Sequence, residues 1–125
     1  MGGGSAGSAG GGSKLSSSDR WELNGENLSL NGVRKAIIKS NGEICNSTGT
    51  PIATIKSDGD VVTIGRGTLG TIKSSGECQQ TGKGLTYKMS SSGDISEWSG
   101  PHLGRLSSGY NRGAAAYIFL IYAPK

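Results

Sequence analysis

The chain has 125 residues, of which 13 are basic and 9 acidic, so its formal net charge is +4. The basic residues are spread along the chain, whereas a dedicated nucleic-acid binder concentrates them on one face, so nucleic acid is not the expected partner. The longest apolar run, at residues 114–122, is far shorter than the roughly 20 residues that a membrane-spanning helix needs.

The first 18 residues, MGGGSAGSAGGGSKLSSS, contain Leu15 as their only residue able to anchor a core. A run of Gly, Ser and Ala of this kind behaves as a flexible coil. We predict a linker or tag over residues 1–18 and one domain over residues 19–125, a length that suits one modest core. Because an engineered N-terminus can replace a natural targeting segment, the sequence leaves the localisation open.

The domain contains a repeat of 17 residues. Each copy reads as an apolar residue, three polar residues, a glycine, an acidic residue and a second apolar residue or cysteine. The four copies are residues 38–44, 55–61, 72–78 and 89–95. A fifth, degenerate copy begins at Leu106, and residues 21–33 carry two Asn-Gly turn signals that suit a capping hairpin. The pattern predicts an all-β domain of tandem β-hairpins.

Two hairpin registers are possible for this repeat. A two-residue turn places the charged Lys39 opposite the aliphatic Ile44, which is a poor cross-strand pair. A three-residue Ser-x-Gly loop with its glycine in the left-handed conformation places Lys39 opposite Glu43 and Ile38 opposite Ile44. We predict the three-residue loop, because it gives each copy an apolar pair on one face and, in three of the four copies, a lysine opposite an acid on the other.

Two residues before the first apolar residue of each copy, on the same face of the strand, the side chain is small. Tyr87 is the exception. The small residues are Ala36, Ala53, Gly70 and Gly104. Small side chains in one layer indicate strands that approach closely around a shared axis. We therefore predict that the repeats close into a barrel-like or flower-like assembly.

The C-terminal run Tyr-Ile-Phe-Leu-Ile-Tyr at residues 117–122 is continuously apolar, aromatic and β-branched. Such a run suits a strand that is buried on both faces. We predict that it pairs with residues 21–30 and closes the ring, which removes the exposed edges of an open sheet.

The cysteines and the recurrent acids are interpreted as scaffold. Cys78 takes the inner apolar position of its copy, whereas Cys45 faces the opposite side, so no disulfide is expected between them. The recurrent acids have lysine partners in three of the four copies. The single histidine, His102, has no second histidine or cysteine near it in the sequence, so neither a metal site nor another cofactor is expected.

Function is expected where the repeats differ. Trp98 lies outside the paired hairpin core and is the aromatic residue most expected to be exposed, as a stacking surface for a sugar or a base. Cations beside glycines at the repeat junctions are candidates for binding phosphate or sulfate groups along one rim. The candidate ligand-binding residues are Trp98, Arg66, Lys83, Arg105, Arg112 and His102. No catalytic residue is assigned, because no nucleophile motif, zinc signature or phosphate-binding loop is present.

Three segments between residues 49 and 120 resemble the small bacterial domains called β-flowers, in which short hairpins repeat around an approximate axis. They are residues 49–55, residues 68–72 and, above all, Gly100-Pro101-His102-Leu103-Gly104-Arg105-Leu106. The fourth repeat departs from the family pattern at residues 85–89. The resemblance implies a fold and no activity.

Three functions are weighed from the sequence. The favoured one is a non-catalytic interaction or structural module of a larger protein, with a protein as its partner. The first alternative is a carbohydrate- or polyanion-binding module that uses Trp98 and the rim cations. The second alternative is a small hydrolase or toxin, for which the chain offers scattered acids and His102.

Overall fold

The computed structural model describes residues 14–125, so residues 1–13 of the linker predicted over residues 1–18 lie outside the described residues. The short alternating segments form strands that follow one another in a meander. The strands are β1 (Arg20–Asn24), β2 (Asn27–Leu30), β3 (Val33–Ile38), β4 (Glu43–Asn46), β5 (Pro51–Ile55), β6 (Asp60–Thr63), β7 (Gly67–Ile72), β8 (Glu77–Gln80), β9 (Gly84–Met89), β10 (Asp94–Glu97) and β11 (His102–Leu106).

The meander closes on itself as a barrel, which confirms the predicted all-β class and closure. Neighbouring strands are antiparallel except at the seam, where β1 pairs with β11 in parallel and Trp21 lies opposite Leu106. The parallel seam follows from the count, because the first and last of eleven alternating strands run in the same direction. Closure pairs the first and last strands, which would be the two edges of an open sheet.

The predicted three-residue loop is present in all four full copies. In the first copy, the Lys39 backbone N–H donates to the Glu43 carbonyl at 2.9 Å, and the Gly42 N–H donates back to the Lys39 carbonyl at 3.1 Å. The four loop glycines have φ angles between 94° and 98°. The inner apolar pairs are Ile38 with Ile44, Ile55 with Val61, Ile72 with Cys78, and Met89 with Ile95. Within residues 14–125, the repeat forms a lysine–acid ion pair in its first copy, where Lys39 Nζ lies 3.2 Å from Glu43 Oε1.

Each loop glycine also joins its hairpin to the next one. The Gly42 carbonyl accepts a hydrogen bond of 2.8 Å from the N–H of Ile55, and the Gly59 carbonyl accepts one of 2.8 Å from Ile72. Between these hairpins the ladder shifts register just after the inner apolar residue of the returning strand, as it does at Ile44. Bulges of this kind increase the local bend and twist of a sheet. Their recurrence curves the meander into a closed wall.

The prediction of a C-terminal strand is wrong, because the segment is a helix inside the barrel. Helix α1 (Arg112–Ala116) continues directly into a π-helical stretch, Tyr117–Tyr122. The Asn111 side chain caps α1 by accepting from the Ala114 N–H at 2.9 Å. Residues 113–120 are buried, and a helix that is apolar on all sides is stable when it is surrounded by protein.

The layer of small residues makes room for this helix. Ala36, Ala53 and Gly70 are buried on the inner wall, and a methyl group added at Gly70 would touch the Leu120 side chain. The helix contributes small residues of its own at 113–116. Tyr87, the exception in the layer, stacks on Phe119 with ring centroids 5.0 Å apart and donates its hydroxyl to the Ala123 carbonyl at 2.9 Å.

The barrel has two ends, which we name by their contents. The signature end carries the repeated hairpin loops, residues 39–42, 56–59, 73–76 and 90–93, and the start of the central helix. The exit end carries the other loops, residues 31–32, 47–50, 64–66, 81–83 and 98–101, and the C-terminal residues that follow the helix. Leu15 packs into the core at the exit end with 5% of its surface exposed, and Lys14 lies over the Tyr122 ring. No helix of the described residues is both long enough and apolar enough to span a membrane.

Candidate functional site

The large apolar side chains that are exposed within residues 14–125 all lie at the exit end. Val33 follows the β2–β3 turn and is 58% exposed, Ile64 lies in the β6–β7 loop and is 70% exposed, and Trp98 lies in the β10–β11 loop and is 37% exposed. The exposure of Trp98 agrees with the prediction from the sequence. Val33 and Ile64 were missed, because an isolated aliphatic residue next to a strand reads as part of that strand's core.

A groove of about 480 Å³ opens at the exit end beside Ile64. Its floor is apolar, and polar side chains such as Thr63 and Gln80 and the candidate cation Arg66 line its rim. The apolar lining residues are Ile52, Leu69, Leu120, Ile121 and Pro124. The floor therefore combines two strands of the wall with the end of the central helix, a combination that no local sequence pattern reveals.

A second cleft at the exit end, of about 270 Å³, brings together the candidates Trp98 and Lys83. Glu97 and Lys125 also line it, and the Lys125 ammonium lies 2.8 Å from Glu97 Oε1. On the other side of the indole, the Lys88 ammonium lies 5.6 Å from the Trp98 ring centroid. An exposed aromatic face between polar groups can stack on a flat apolar surface while the polar groups satisfy a ligand's hydrogen bonds.

Arg112 lies at the signature end, away from Arg66 and Lys83. Its guanidinium donates to the Ile72 carbonyl at 2.9 Å and to the Ser57 carbonyl at 3.2 Å. These bonds join the start of the central helix to two hairpin loops. Arg112 therefore holds the helix in the barrel, and its position separates it from the other candidates.

His102 and Arg105 lie on the outer wall, on β11, beside Asp94 of β10. His102 Nε2 and Arg105 Nε each lie 3.8 Å from Asp94 Oδ1, and all three side chains are about half exposed. One carboxylate is thus shared by two basic groups on a convex, solvated wall. The geometry suits a surface charge cluster better than an enclosed acid–base pair, because solvent screens the groups.

Charge is divided unevenly between the two ends. Most acids lie on the signature-end half, where the repeat places them. Among residues 14–125, the acids near the exit end are Asp19, which is buried, Glu22, which lines a cleft with Asn31 and Gly32, and Glu97, which binds Lys125. No ion pair within residues 14–125 neutralises the exit-end cations Arg20, Arg34, Arg66 and Lys83. The exit end is therefore the basic end of the molecule as well as its apolar end.

The buried titratable groups belong to the interior. Cys78 is fully buried on the inner wall, and burial raises the pKa of its thiol to about 11. Cys45 is buried outside the core cluster, and both thiols are free. Burial also raises the pKa of Tyr117, which faces the indole of Trp21 edge-on at 6.4 Å. Residues 14–125 contain no cluster of three or more His, Cys, Asp or Glu side chains suited to a metal ion.

These features define the class of the domain as a closed meander barrel of eleven strands around a central helix, with an apolar and basic end. Compared with known proteins, the chain matches no family model, no curated protein and no solved structure.

Proposed function

We propose that the domain is a non-catalytic interaction module that binds its partner with the exit end of the barrel. The observation that carries this proposal is the placement of Val33, Ile64 and Trp98, the exposed large apolar side chains of residues 14–125, at the same end of the barrel. The three side chains stand apart around this end, and the apolar groove beside Ile64 adds a larger apolar surface there. The β-flower resemblance concerns the fold alone, and it stays a prediction.

The interior of the barrel supports the same choice. The central helix fills the space that a ligand occupies in other barrels, since Ala114, Ala115 and Phe119 are fully buried against the wall. Binding through the outer surface of one end needs no rearrangement of this core. The repeated loops at the other end are built from scaffold contacts, which leaves the exit-end loops free to carry specificity.

Site-directed photo-crosslinking in the host cell tests the proposal. A photoreactive phenylalanine analogue replaces Ile64 at the exit end or, as the matched control, the exposed Ser57 at the signature end. We expect adducts of position 64 with a protein or with membrane lipid, and none from position 57. Equal adducts from both positions, or none from position 64, would contradict the proposal.

A second candidate function, carbohydrate or polyanion binding, is favoured by the cleft that joins Trp98 and Lys83. Chemical-shift titration with a glycan panel and with heparin tests it, with Trp98→Ala as the variant. Localised shifts at residues 83 and 97–99 that disappear in Trp98→Ala would support this function. No shift at those residues across the panel would reject it.

A further inference from the structure

We propose that the partner of the exit end is the surface of a lipid bilayer that contains anionic headgroups. This inference rests on the proposed function, because it names the partner of the same end. Three properties of that end point to a bilayer: the spacing of its apolar side chains, the position of its cations that form no ion pair, and the rigidity of the frame that carries them.

The three exposed apolar side chains are distributed around the whole rim. Val33, Ile64 and Trp98 follow strands β2, β6 and β10, so four strands separate each from the next and three complete the ring. The intervening loops at residues 47–50 and 81–83 are polar. With strands about 4.8 Å apart and tilted as in other barrels, the three positions stand roughly 20 Å from one another. Three points at this spacing meet a flat, extended surface together, whereas a short peptide or a sugar reaches only one or two.

Cations stand beside the apolar positions. Arg34 adjoins Val33, Arg66 is two residues from Ile64, and Lys83 lines the cleft of Trp98. Apolar side chains that enter the headgroup region, with basic side chains beside them, are the combination by which peripheral proteins bind anionic membranes. Within residues 14–125, Glu22, beside Asn31 and Gly32, is the exposed acid near this end that forms no ion pair, so cations outnumber such acids there and the net charge attracts anionic headgroups.

The frame of the exit end is rigid enough to hold the three positions. The rim loops are short and closed by hydrogen bonds: the Trp98 N–H donates to the Thr86 carbonyl at 3.0 Å, and the Thr63 hydroxyl donates to the Gly67 carbonyl at 3.2 Å across the loop of Ile64. The C-terminus is fixed to the wall by a pair of bonds between Gln80 and the Lys125 backbone, at 2.9 and 3.1 Å. A preformed surface loses little conformational entropy on docking.

Vesicle flotation with the full chain tests the inference. The probes are vesicles of phosphatidylcholine alone and vesicles that contain about one-third phosphatidylserine, at low and at high salt. We expect flotation with the anionic vesicles that weakens as salt rises. Arg66→Gln is expected to weaken partitioning about fivefold and Ile64→Ser about tenfold. The matched control Lys56→Gln makes the same charge change at the signature end and is expected to alter partitioning less than about twofold.

The position of Trp98 gives an independent readout. Trp21 is fully buried and Trp98 is exposed, so phosphatidylcholine brominated on its acyl chains should quench the emission of Trp98 and leave that of Trp21. Quenching in the wild type that is lost in Trp98→Phe supports docking by this end. Bound protein whose fluorescence is not quenched overturns it.

The remaining outcomes separate this inference from the proposed function. Absence of flotation at millimolar lipid, or equal loss in Ile64→Ser and Lys56→Gln, overturns the membrane partner. Protein adducts from position 64 in a chain that does not bind vesicles overturn this inference and keep the interaction module. Binding to heparin that matches vesicle binding in salt dependence, with no effect of Ile64→Ser on either, shows anion binding alone and also overturns the inference.

Discussion

The loop glycines of the repeat meet two structural demands at one residue. Gly76 has a φ angle of 94°, and a Cβ atom at this position would collide with the Met89 carbonyl of the following hairpin. Gly25, in the β1–β2 turn, also has a positive φ of 62°, but the space around its missing Cβ is open. Substitutions at Gly25 and Gly76 therefore distinguish the cost of the left-handed backbone conformation from the cost of disturbing the contact between hairpins.

Gly25→Ala and Gly76→Ala should differ in their cost. The first introduces left-handed strain alone, and we expect it to lower the free energy of unfolding by about 1 kcal/mol. The second adds a collision with backbone, and we expect a loss of about 3 kcal/mol or more. Urea denaturation of the two variants measures the difference, and equal costs would show that the contact between hairpins is unimportant.

Cys78 makes stability depend on alkaline pH. Burial raises the pKa of its thiol from 9.0 to about 11, so below about pH 9 the thiol is protonated in both the folded and the unfolded state. Between pH 9 and pH 11 the unfolded chain releases this proton and the folded chain keeps it, so stability falls as pH rises. By pH 11 the loss amounts to about 2 kcal/mol.

Cys78→Val removes this contribution and should fold, because Val61 occupies the same position in the preceding copy. We expect the difference in free energy of unfolding between Cys78→Val and the wild type to grow by about 2 kcal/mol between pH 8.5 and pH 11. A difference that is constant over this range would place the thiol in contact with water.

At the scale of elements, the hairpins were predictable and the central helix was not. The residues of each copy determine its register, through the glycine, the two apolar positions and, in three of the four copies, a lysine opposite an acid. A continuous apolar run such as residues 117–122 does not separate a buried strand from a buried helix, because both are apolar on all sides. The helical signals lay just before it, in the cap residue Asn111 and the three alanines that follow Gly113.

The helical conformation predicts a specific spectroscopic result. Residues 114–120 should show positive ¹³Cα secondary shifts, whereas residues of the neighbouring strand β9 should show negative ones. Negative ¹³Cα secondary shifts at residues 114–120 would show that this segment is a strand and would contradict the helix.

Phe119→Ala should lower the free energy of unfolding by about 3–5 kcal/mol, because Phe119 stacks on Tyr87 in the filled interior. The matched control Ile64→Ala removes an exposed aliphatic side chain and should change it by less than about 0.5 kcal/mol.

At the scale of the whole molecule, the two ends of the barrel have different tasks. The repeat fixes the signature end, where loop contacts, most of the acids and the bonds of Arg112 hold the scaffold together. The exit end gathers the loops that differ between copies. No sequence pattern indicates that Val33, Ile64 and Trp98 share one end, because their common position depends on the direction of each strand and on the closure of the ring.

Chemical-shift mapping of the ¹⁵N-labelled chain tests this division most directly, with bicelles of phosphatidylcholine and phosphatidylserine as the probe. The account predicts that the amide signals of residues 32–34, 64–66 and 97–100 shift or broaden together as the bicelle concentration rises. The hairpin loops at residues 39–42, 56–59 and 73–76 should stay unchanged. Perturbations centred on those loops, or spread evenly over both ends, would contradict the assignment of binding to the exit end.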